Sequence, residues 1–267
     1  MTPAHRIVSL ACSNTEIVVA LGCGDRLVGV DDHSDHPPEL VATLPKVGPD
    51  LQIDIQRVAA LEPDLVLATL TVPGHETVVA GLEAAGLPFI APEPVSLDDV
   101  YADILTIGAR LGVSDRAEAL VAEMRGTIES AEKADGGPDE DDRPTIAVQW
   151  WPKPTITPGR LSWITDVVHW AGGRTLLSEE AVKSRPVSDE EMADRGPDAI
   201  VISWCGVDPA KYRPEVVLDN PRLADTPAVR NRHVFTIPEA YMGRPGPRLV
   251  DGYWALRRII GSVRAGE

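Results

Sequence analysis

Short apolar runs alternate with amphipathic segments along the first third of the chain. Four of these runs predict buried strands: 7–10, 27–30, 65–68 and 87–91. Cap-type residues at 13–16 predict a helix start ahead of 17–21, and helical spacing is found at 54–61 and 76–85. Strands that alternate with helices predict a parallel sheet with helices on both faces.

The second half of the chain repeats this order. A helical segment, a Pro-Asp turn and an apolar strand follow one another at 58–68 and again at 190–203. The segment 162–177 likewise resembles 14–22. Two similar α/β lobes are the simplest explanation. A chance resemblance between common α/β turns is the alternative.

The middle of the chain predicts a connection between these lobes. Apolar residues recur at helical spacing across 96–134, with a break at Gly112, and an acidic loop follows at 135–142. We therefore predict an N-terminal lobe at 1–95, a bridging helix with the acidic loop at 96–142, and a C-terminal lobe at 143–267. The predicted fold class is α/β, with two Rossmann-like lobes that contain parallel sheets and are bridged by one long α-helix.

Composition narrows the classes of protein that remain. The chain has 267 residues and a formal net charge of −16. A surface with this negative charge repels nucleic acid and anionic membranes. This charge has two interpretations: an ordinary soluble surface, or an adaptation of the surface to high salt. No apolar stretch reaches the length of a membrane span, and the three cysteines form no CxxC pair.

The start of the chain shows no basic segment followed by an apolar segment, so no signal peptide is visible. We expect a cytoplasmic protein if the chain is complete, or else a mature domain that begins here.

Sequence signatures of catalysis are missing. The chain contains no GxGxxG after a strand, no GxxxxGK[ST], no GxSxG and no HExxH. It also contains no nucleophile and base at a supporting spacing, so we expect a binding protein, not an enzyme, and no catalytic cofactor. The loop at 33–38 holds His33, Asp35 and His36, which predict either a metal site or a turn whose side chains cap the backbone.

Aromatic residues are concentrated in the second half. Trp150 and Trp151 are neighbours, Trp204 ends the repeated strand, and Tyr241 lies in a segment rich in Gly and Pro. Aromatic side chains at loop ends predict a stacking surface for a large flat ligand. Packing of scattered aromatic residues is the alternative.

Six segments resemble motifs of one family: 6–16, 33–37, 47–48, 58–66, 151–173 and 244–252. On these motifs the chain resembles the cobalamin-type and iron-complex substrate-binding proteins of ABC transporters, over essentially its whole length. The resemblance implies the class III periplasmic-binding-protein fold, with a corrin ring held in a cleft between two lobes. It also implies an extracytoplasmic location, and a monomer is expected.

Carried over position by position, the resemblance implies these ligand-binding residues: Cys12, His33, Trp150, Trp151, Trp204, Tyr241 and Arg244. His33 is a candidate cobalt ligand, and the alternative is a hydrogen bond from its ring to an amide on the corrin edge. The chain departs from the family pattern at two places. Cys12 stands where a proline is usual, and the loop 69–74 lacks a tryptophan that cobalamin binders often have.

The resemblance also implies partners. The expected ligand is a corrinoid, cobalamin or cobinamide, and the expected protein partners are the membrane subunits of an ABC transporter. The docking candidates are acidic residues: Glu76, Asp208 and Glu215. The alternatives are a binder of another metal complex such as a ferric siderophore or haem, a binder of a metal ion, and a cytosolic corrinoid carrier or enzyme.

Overall fold

The computed structural model describes residues 2–129 and 142–266, so the predicted acidic loop lies outside it except for Asp142. The chain divides into two compact units. The N-terminal unit contains the residues up to Pro94 together with Asp99–Glu123, and the C-terminal unit contains Val95–Asp98 together with the described residues from Met124 onward. The sequence placed these boundaries at 95/96 and 142/143.

The N-terminal unit is built on a parallel sheet with the strand order β2-β1-β3-β4. Its strands are β1 (Ile7–Ser9), β2 (Leu27–Val30), β3 (Leu65–Leu67) and β4 (Phe89–Ile90). Its first helices are α1 (Cys12–Ala20), α2 (Pro38–Val41), α3 (Ile55–Ala60) and α4 (His75–Ala84), with a 3-10 turn at Gly24–Arg26. Strands β1 and β3 are fully buried because helices cover both faces of a parallel sheet.

The segment predicted to bridge the lobes forms two helices, α5 (Leu97–Leu111) and α6 (Ser114–Ile128). The expectation of one continuous helix is therefore wrong at Gly112, where the sequence had already indicated a break. Gly112 has a φ of +71°, and a Cβ there would lie 2.7 Å from the Pro3 side chain. Only glycine adopts this backbone and leaves room for Pro3 at no cost.

The C-terminal unit contains a second parallel sheet, with the strand order β11-β10-β5-β8, and an antiparallel sheet with the order β6-β7-β9. Its strands are β5 (Thr145–Gln149), β6 (Trp151–Pro152), β7 (Thr155–Pro158), β8 (Arg174–Thr175), β9 (Ser184–Val187), β10 (Ala199–Ile202) and β11 (Val234–Thr236). Its helices are α7 (Trp163–Trp170), α8 (Asp189–Arg195), α9 (Glu215–Leu218), α10 (Pro227–Arg230), α11 (Glu239–Met242) and α12 (Leu249–Ala265), with a 3-10 turn at Pro209–Lys211.

The two parallel sheets have the same topology. If the four strands of each sheet are numbered in chain order, both sheets have the spatial order 2-1-3-4. The first and third strands pair at the centre, and the second and fourth lie at the two edges. The α/β fold class with two lobes of parallel strands is confirmed. Among the described helices, none combines the length and the apolar character needed to cross a membrane.

An aspartate holds the start of the central strand pair in each unit. Asp64 accepts hydrogen bonds from the backbone N–H groups of His5 and Arg6, at 2.9 Å each. Asp198 accepts from the N–H of Thr145 at 2.8 Å. Each aspartate also donates its own N–H to the neighbouring strand, to Arg6 or Thr145, at 2.9 Å. The Pro-Asp turn therefore recurs because it fixes the register of the central strands.

The polar residues at 13–16 have a different position from the predicted one. Helix α1 begins at Cys12, so these residues are buried inside the helix instead of capping it. The amide of Asn14 donates to the Ala68 carbonyl at 2.8 Å, and the Thr15 hydroxyl donates to the Ser9 hydroxyl at 2.8 Å. Their hydrogen bonds to the sheet compensate for burial, which a pattern of cap-type residues does not indicate.

We predict that Asp64→Ala and Asp198→Ala each lower the free energy of unfolding by about 1–2 kcal/mol, because each leaves strand-end N–H groups without a charged acceptor. Urea unfolding followed by circular dichroism measures the loss. Asp25→Ala, at an exposed position in a 3-10 turn, is the matched control and should change the stability by less than about 0.5 kcal/mol. An equal loss in all three variants would contradict the role of the two aspartates.

Candidate functional site

Loops that follow the strands of a parallel sheet lie at its carboxyl edge, where α/β proteins bind ligands. In the N-terminal unit, these loops carry the predicted residues Cys12 and His33 after β1 and β2. In the C-terminal unit, the loops after β5, β10 and β11 carry the predicted aromatic residues and Arg244.

A buried carboxylate organises the edge of the N-terminal unit. Asp31 is fully buried and accepts hydrogen bonds from the His33 backbone N–H at 2.9 Å and from the Ser34 hydroxyl at 2.5 Å. The Cys12 thiol donates to the same carboxylate at 4.0 Å. Burial raises the pKa of Asp31, and the hydrogen bonds from Ser34 and His33 oppose that rise. Cys12 and the His33 backbone therefore meet at one side chain.

The ring of His33 lies beside a second acidic residue, Asp50. The His33 side chain is 54% exposed, and its Nε2 lies 3.6 Å from Asp50 Oδ1. A buried imidazole, His75, lies on the other side of Asp50, with its Nε2 3.7 Å from Oδ2. Because His75 Nδ1 accepts from the Val72 N–H at 3.2 Å, its proton is on Nε2 and faces Asp50. The His75 side chain is the main influence that holds the pKa of Asp50 below its ordinary value.

The predicted metal-ion site is not formed. Across residues 2–129 and 142–266, no three His, Cys, Asp or Glu side chains are placed to hold one ion. His33, Asp35 and His36 therefore do not act together as ligands.

Two exposed apolar side chains lie in the same loops of the N-terminal unit. Leu51 is 44% exposed and Val72 is 43% exposed. A Cβ on Gly74 would lie 3.3 Å from Leu51, so the loops at 51 and 72–74 are close together. The sequence predicted neither residue as part of a site. They supply apolar surface in the loop region where the family's tryptophan is missing.

The two neighbouring tryptophans of the C-terminal unit have different environments. Trp150 is half-buried. Its backbone N–H donates to the Ile156 carbonyl at 2.8 Å, and its backbone carbonyl accepts from the Cys205 N–H at 3.0 Å. Trp151 is 44% exposed in strand β6. Trp151 therefore offers more surface to a ligand than Trp150.

Trp204 lies in the core, so it presents little stacking area. Its side chain is in edge contact with Tyr212, with ring centres 5.5 Å apart, and the residue is 7% exposed. The Tyr212 hydroxyl donates to the Trp204 carbonyl at 3.1 Å and accepts from the Glu239 N–H at 3.2 Å. Burial raises the pKa of Tyr212 to about 12, so the phenol stays protonated at neutral pH. Tyr212 was not predicted from the sequence.

Tyr241 and Arg244 lie next to each other in and after helix α11. The Arg244 Nε is 3.3 Å from Glu239 Oε2, in a largely buried ion pair. The guanidinium of Arg248 lies 4.9 Å from the centre of the Tyr241 ring, in a cation–π contact. This part of the unit therefore combines an aromatic face with cationic groups.

Close packing fixes the position of Tyr241. The Trp163 indole donates to the Met242 carbonyl at 2.9 Å. Helix α12 crosses behind the segment so closely that a Cβ on Gly252 would lie 2.1 Å from the Tyr241 carbonyl oxygen. Trp163, in helix α7, therefore anchors α11.

Comparison with known proteins assigns this architecture to a class. The model of the periplasmic binding protein family matches residues 7–241, so the chain belongs to that family. The resemblance to substrate-binding proteins of the cobalamin and iron-complex type is confirmed. The chain is the substrate-binding component of an ABC-type uptake system, not an enzyme.

Two relatives illustrate the similarity in sequence. The chain is 28% identical over 258 residues to an uncharacterized ABC transporter substrate-binding lipoprotein, YvrC, of Bacillus subtilis (strain 168), covering 96% of this chain and 79% of that protein. It is 28% identical over 263 residues to a vitamin B12-binding protein of Vibrio campbellii, covering 98% of this chain and 91% of that protein.

Two solved structures illustrate the similarity in fold. The periplasmic vitamin B12 binding protein BtuF of Vibrio cholerae matches with a TM-score of 0.79 and 25% identity, covering 98% of each chain. The apo periplasmic heme-binding protein RhuT from Roseiflexus sp. RS-1 matches with a TM-score of 0.81 and 28% identity, covering 98% of this chain and 99% of that chain.

We predict that Gly252→Ala lowers the free energy of unfolding by about 1–3 kcal/mol, because the added methyl group overlaps the Tyr241 carbonyl. Gly261→Ala is the matched control on the same helix, since a Cβ there meets nothing within 4 Å. It should stabilise the protein by up to about 1 kcal/mol through helix propensity. Urea unfolding of both variants is the measurement, and equal effects would show that α12 does not constrain Tyr241.

Proposed function

We propose that the chain binds a corrinoid, such as cobalamin or cobinamide, for uptake by an ABC transporter. The observation that carries this proposal is the match to a vitamin B12-binding relative over 98% of the chain. The similarity to the BtuF structure over 98% of each chain adds support.

The residues at the two carboxyl edges suit a large flat ligand with a polar rim. We propose that Leu51 and Val72 are the apolar contact residues of the N-terminal unit, and that Trp151 and Tyr241 are the aromatic contact residues of the C-terminal unit. The remaining predicted residues, Cys12, Trp150, Trp204 and Arg244, shape these edges through the contacts described above.

We propose that His33 lies either at the cobalt ion of the ligand or at the edge of its ring. Its ring is exposed, and Asp50 lies beside Nε2, so Nδ1 is the nitrogen that remains available for a ligand. An imidazole nitrogen is a suitable donor to cobalt, and it is equally suited to hydrogen-bond an amide on the ring edge.

Haem is the second candidate ligand, since the RhuT structure matches at 28% identity. Haem carries ionised carboxylates, which need cationic partners when they are buried. The Arg244 guanidinium is already paired with Glu239, which makes it less available to a carboxylate. This arrangement favours the neutral amide rim of a corrinoid.

We predict that cyanocobalamin or dicyanocobinamide binds with a dissociation constant below about 1 μM, or about −8 kcal/mol. Tryptophan fluorescence and calorimetry measure the affinity, with hemin as the comparison ligand. Tighter binding of hemin than of both corrinoids, or no response to either corrinoid, would contradict the proposal.

The His33→Ala variant separates the two roles of this residue. A shift of the cobalt absorption bands relative to the parent complex indicates ligation. Weaker binding with an unchanged spectrum indicates a hydrogen bond to the ring edge.

Docking to the transporter is proposed to use exposed acidic side chains. Glu76 lies in the first turn of α4, where its Oε2 accepts from the Gly74 N–H at 2.8 Å. On the C-terminal unit, Asp208 and Glu215 are both exposed. Opposite charges at such positions set the encounter rate and the register of docking more than the affinity.

We predict that Glu76→Lys preserves corrinoid affinity and lowers uptake of cyanocobalamin at least about tenfold in proteoliposomes that contain the membrane subunits, because the charge at the interface is reversed. Glu83→Lys, at an exposed position of the same helix, is the matched control and should transport normally. Normal uptake by the Glu76 variant would exclude this docking role, and an absence of uptake by the parent protein would favour a carrier that acts without a transporter.

A further inference from the structure

A cavity of about 540 Å³ lies within the C-terminal unit and is separate from the predicted ligand residues. It is bounded by the hairpin of β6 and β7, by the start of α8 and by α9 with the turn that follows it. Buried apolar side chains form part of its wall: Val187, Val217 and Leu223. Gln149, at the end of the central strand β5, also lines it.

Gln149 is a polar residue of this wall. The residue is 4% exposed, and its backbone carbonyl accepts from the Ser203 N–H at 3.0 Å within the sheet. Among the described residues, no protein group hydrogen-bonds its side-chain amide, and the amide atoms are not among the fully buried ones without a partner, so they face the open space of the cavity. Water in the cavity can hydrogen-bond this amide, and a ligand group that supplies both an acceptor and a donor can take the place of that water.

Most charges at the rim of the cavity compensate one another. Asp189 accepts from the Asn220 amide at 3.0 Å, and Arg222 lies 3.9 Å from Asp189 and 3.4 Å from Glu190. Lys153 is exposed on the hairpin, where solvent weakens its field. A carboxylate that reached Gln149 would lose hydration and meet a neutral amide, which compensates poorly for a buried charge. A neutral ligand group is therefore favoured.

We infer that this cavity is a subsite for a primary amide of the ligand, with Gln149 as its hydrogen-bonding partner. Two amides pair through two hydrogen bonds, one donated by each group. The inference rests on the proposed function for the source of that amide, since a corrinoid carries primary amides on its ring edge and haem carries carboxylates. The cavity thereby selects the neutral ring edge.

The first experiment tests the cavity without any corrinoid. In NMR spectra of the full chain, propionamide at tens of millimolar should shift the side-chain amide signals of Gln149, which are identified by their loss in Gln149→Met. Propionate at the same concentration should leave these signals in place. An absence of any shift with propionamide would overturn the inference and leave water as the partner of Gln149.

The second experiment connects the cavity to the ligand. Gln149→Met keeps the length of the side chain and removes its hydrogen bonds, so it should weaken dicyanocobinamide binding about tenfold. It should leave the affinity for cobyrinic acid, which carries carboxylates at these ring positions, nearly unchanged. Gln56→Met, at an exposed position of α3, is the control and should match the parent protein.

The outcomes separate this inference from the proposed function. If the parent protein binds no corrinoid while propionamide still shifts Gln149, the proposed function fails and the amide subsite stands. If the parent protein binds dicyanocobinamide and Gln149→Met binds it equally well, the amide subsite is wrong and the proposed function stands. An equal loss of affinity for both ligands indicates a structural defect and also overturns the subsite.

Discussion

One hydrogen-bonded contact, between a turn carboxylate and the N–H groups of the neighbouring strand, occurs once in each unit and fixes its geometry. Asp64 and Asp198 set where the central strands begin relative to each other. In a parallel sheet, the start of the strands also determines where their carboxyl ends emerge. The positions of Cys12, after β1, and of Gln149, at the end of β5, therefore depend on a contact at the opposite edge of the sheet.

Much of the fold could be predicted from the chain because its signals are local. Fully buried parallel strands appear as uninterrupted apolar runs, and the Pro-Asp turn precedes β3 and β10 in the same way. The misplaced start of α1 has a physical reason. Asn14 and Thr15 have residue types that cap helices in isolation, but here they hydrogen-bond the sheet, and only tertiary structure supplies those partners.

The candidate site was less predictable because its contacts join distant residues. Asp50 lies between two histidines, one from the loop after β2 and one from the start of α4, and no spacing in the sequence indicates this arrangement. Trp204 ends a strand as a ligand-contacting residue would, yet it packs against Tyr212 in the core. The position of a residue after a strand indicates at which edge of the sheet it lies. Whether its side chain is buried depends on the residues that pack over it.

The recurrence of one strand order in both units has a consequence for how such a chain diversifies. Each half carries its own strand-register contact and its own buried core, so the loops of each half are supported by the packing of that half. The imidazoles and carboxylates of the N-terminal unit and the aromatic rings and guanidinium groups of the C-terminal unit can therefore be altered independently. A strand order that occurs twice, each time with its own loops, gives natural selection two sets of loops to vary.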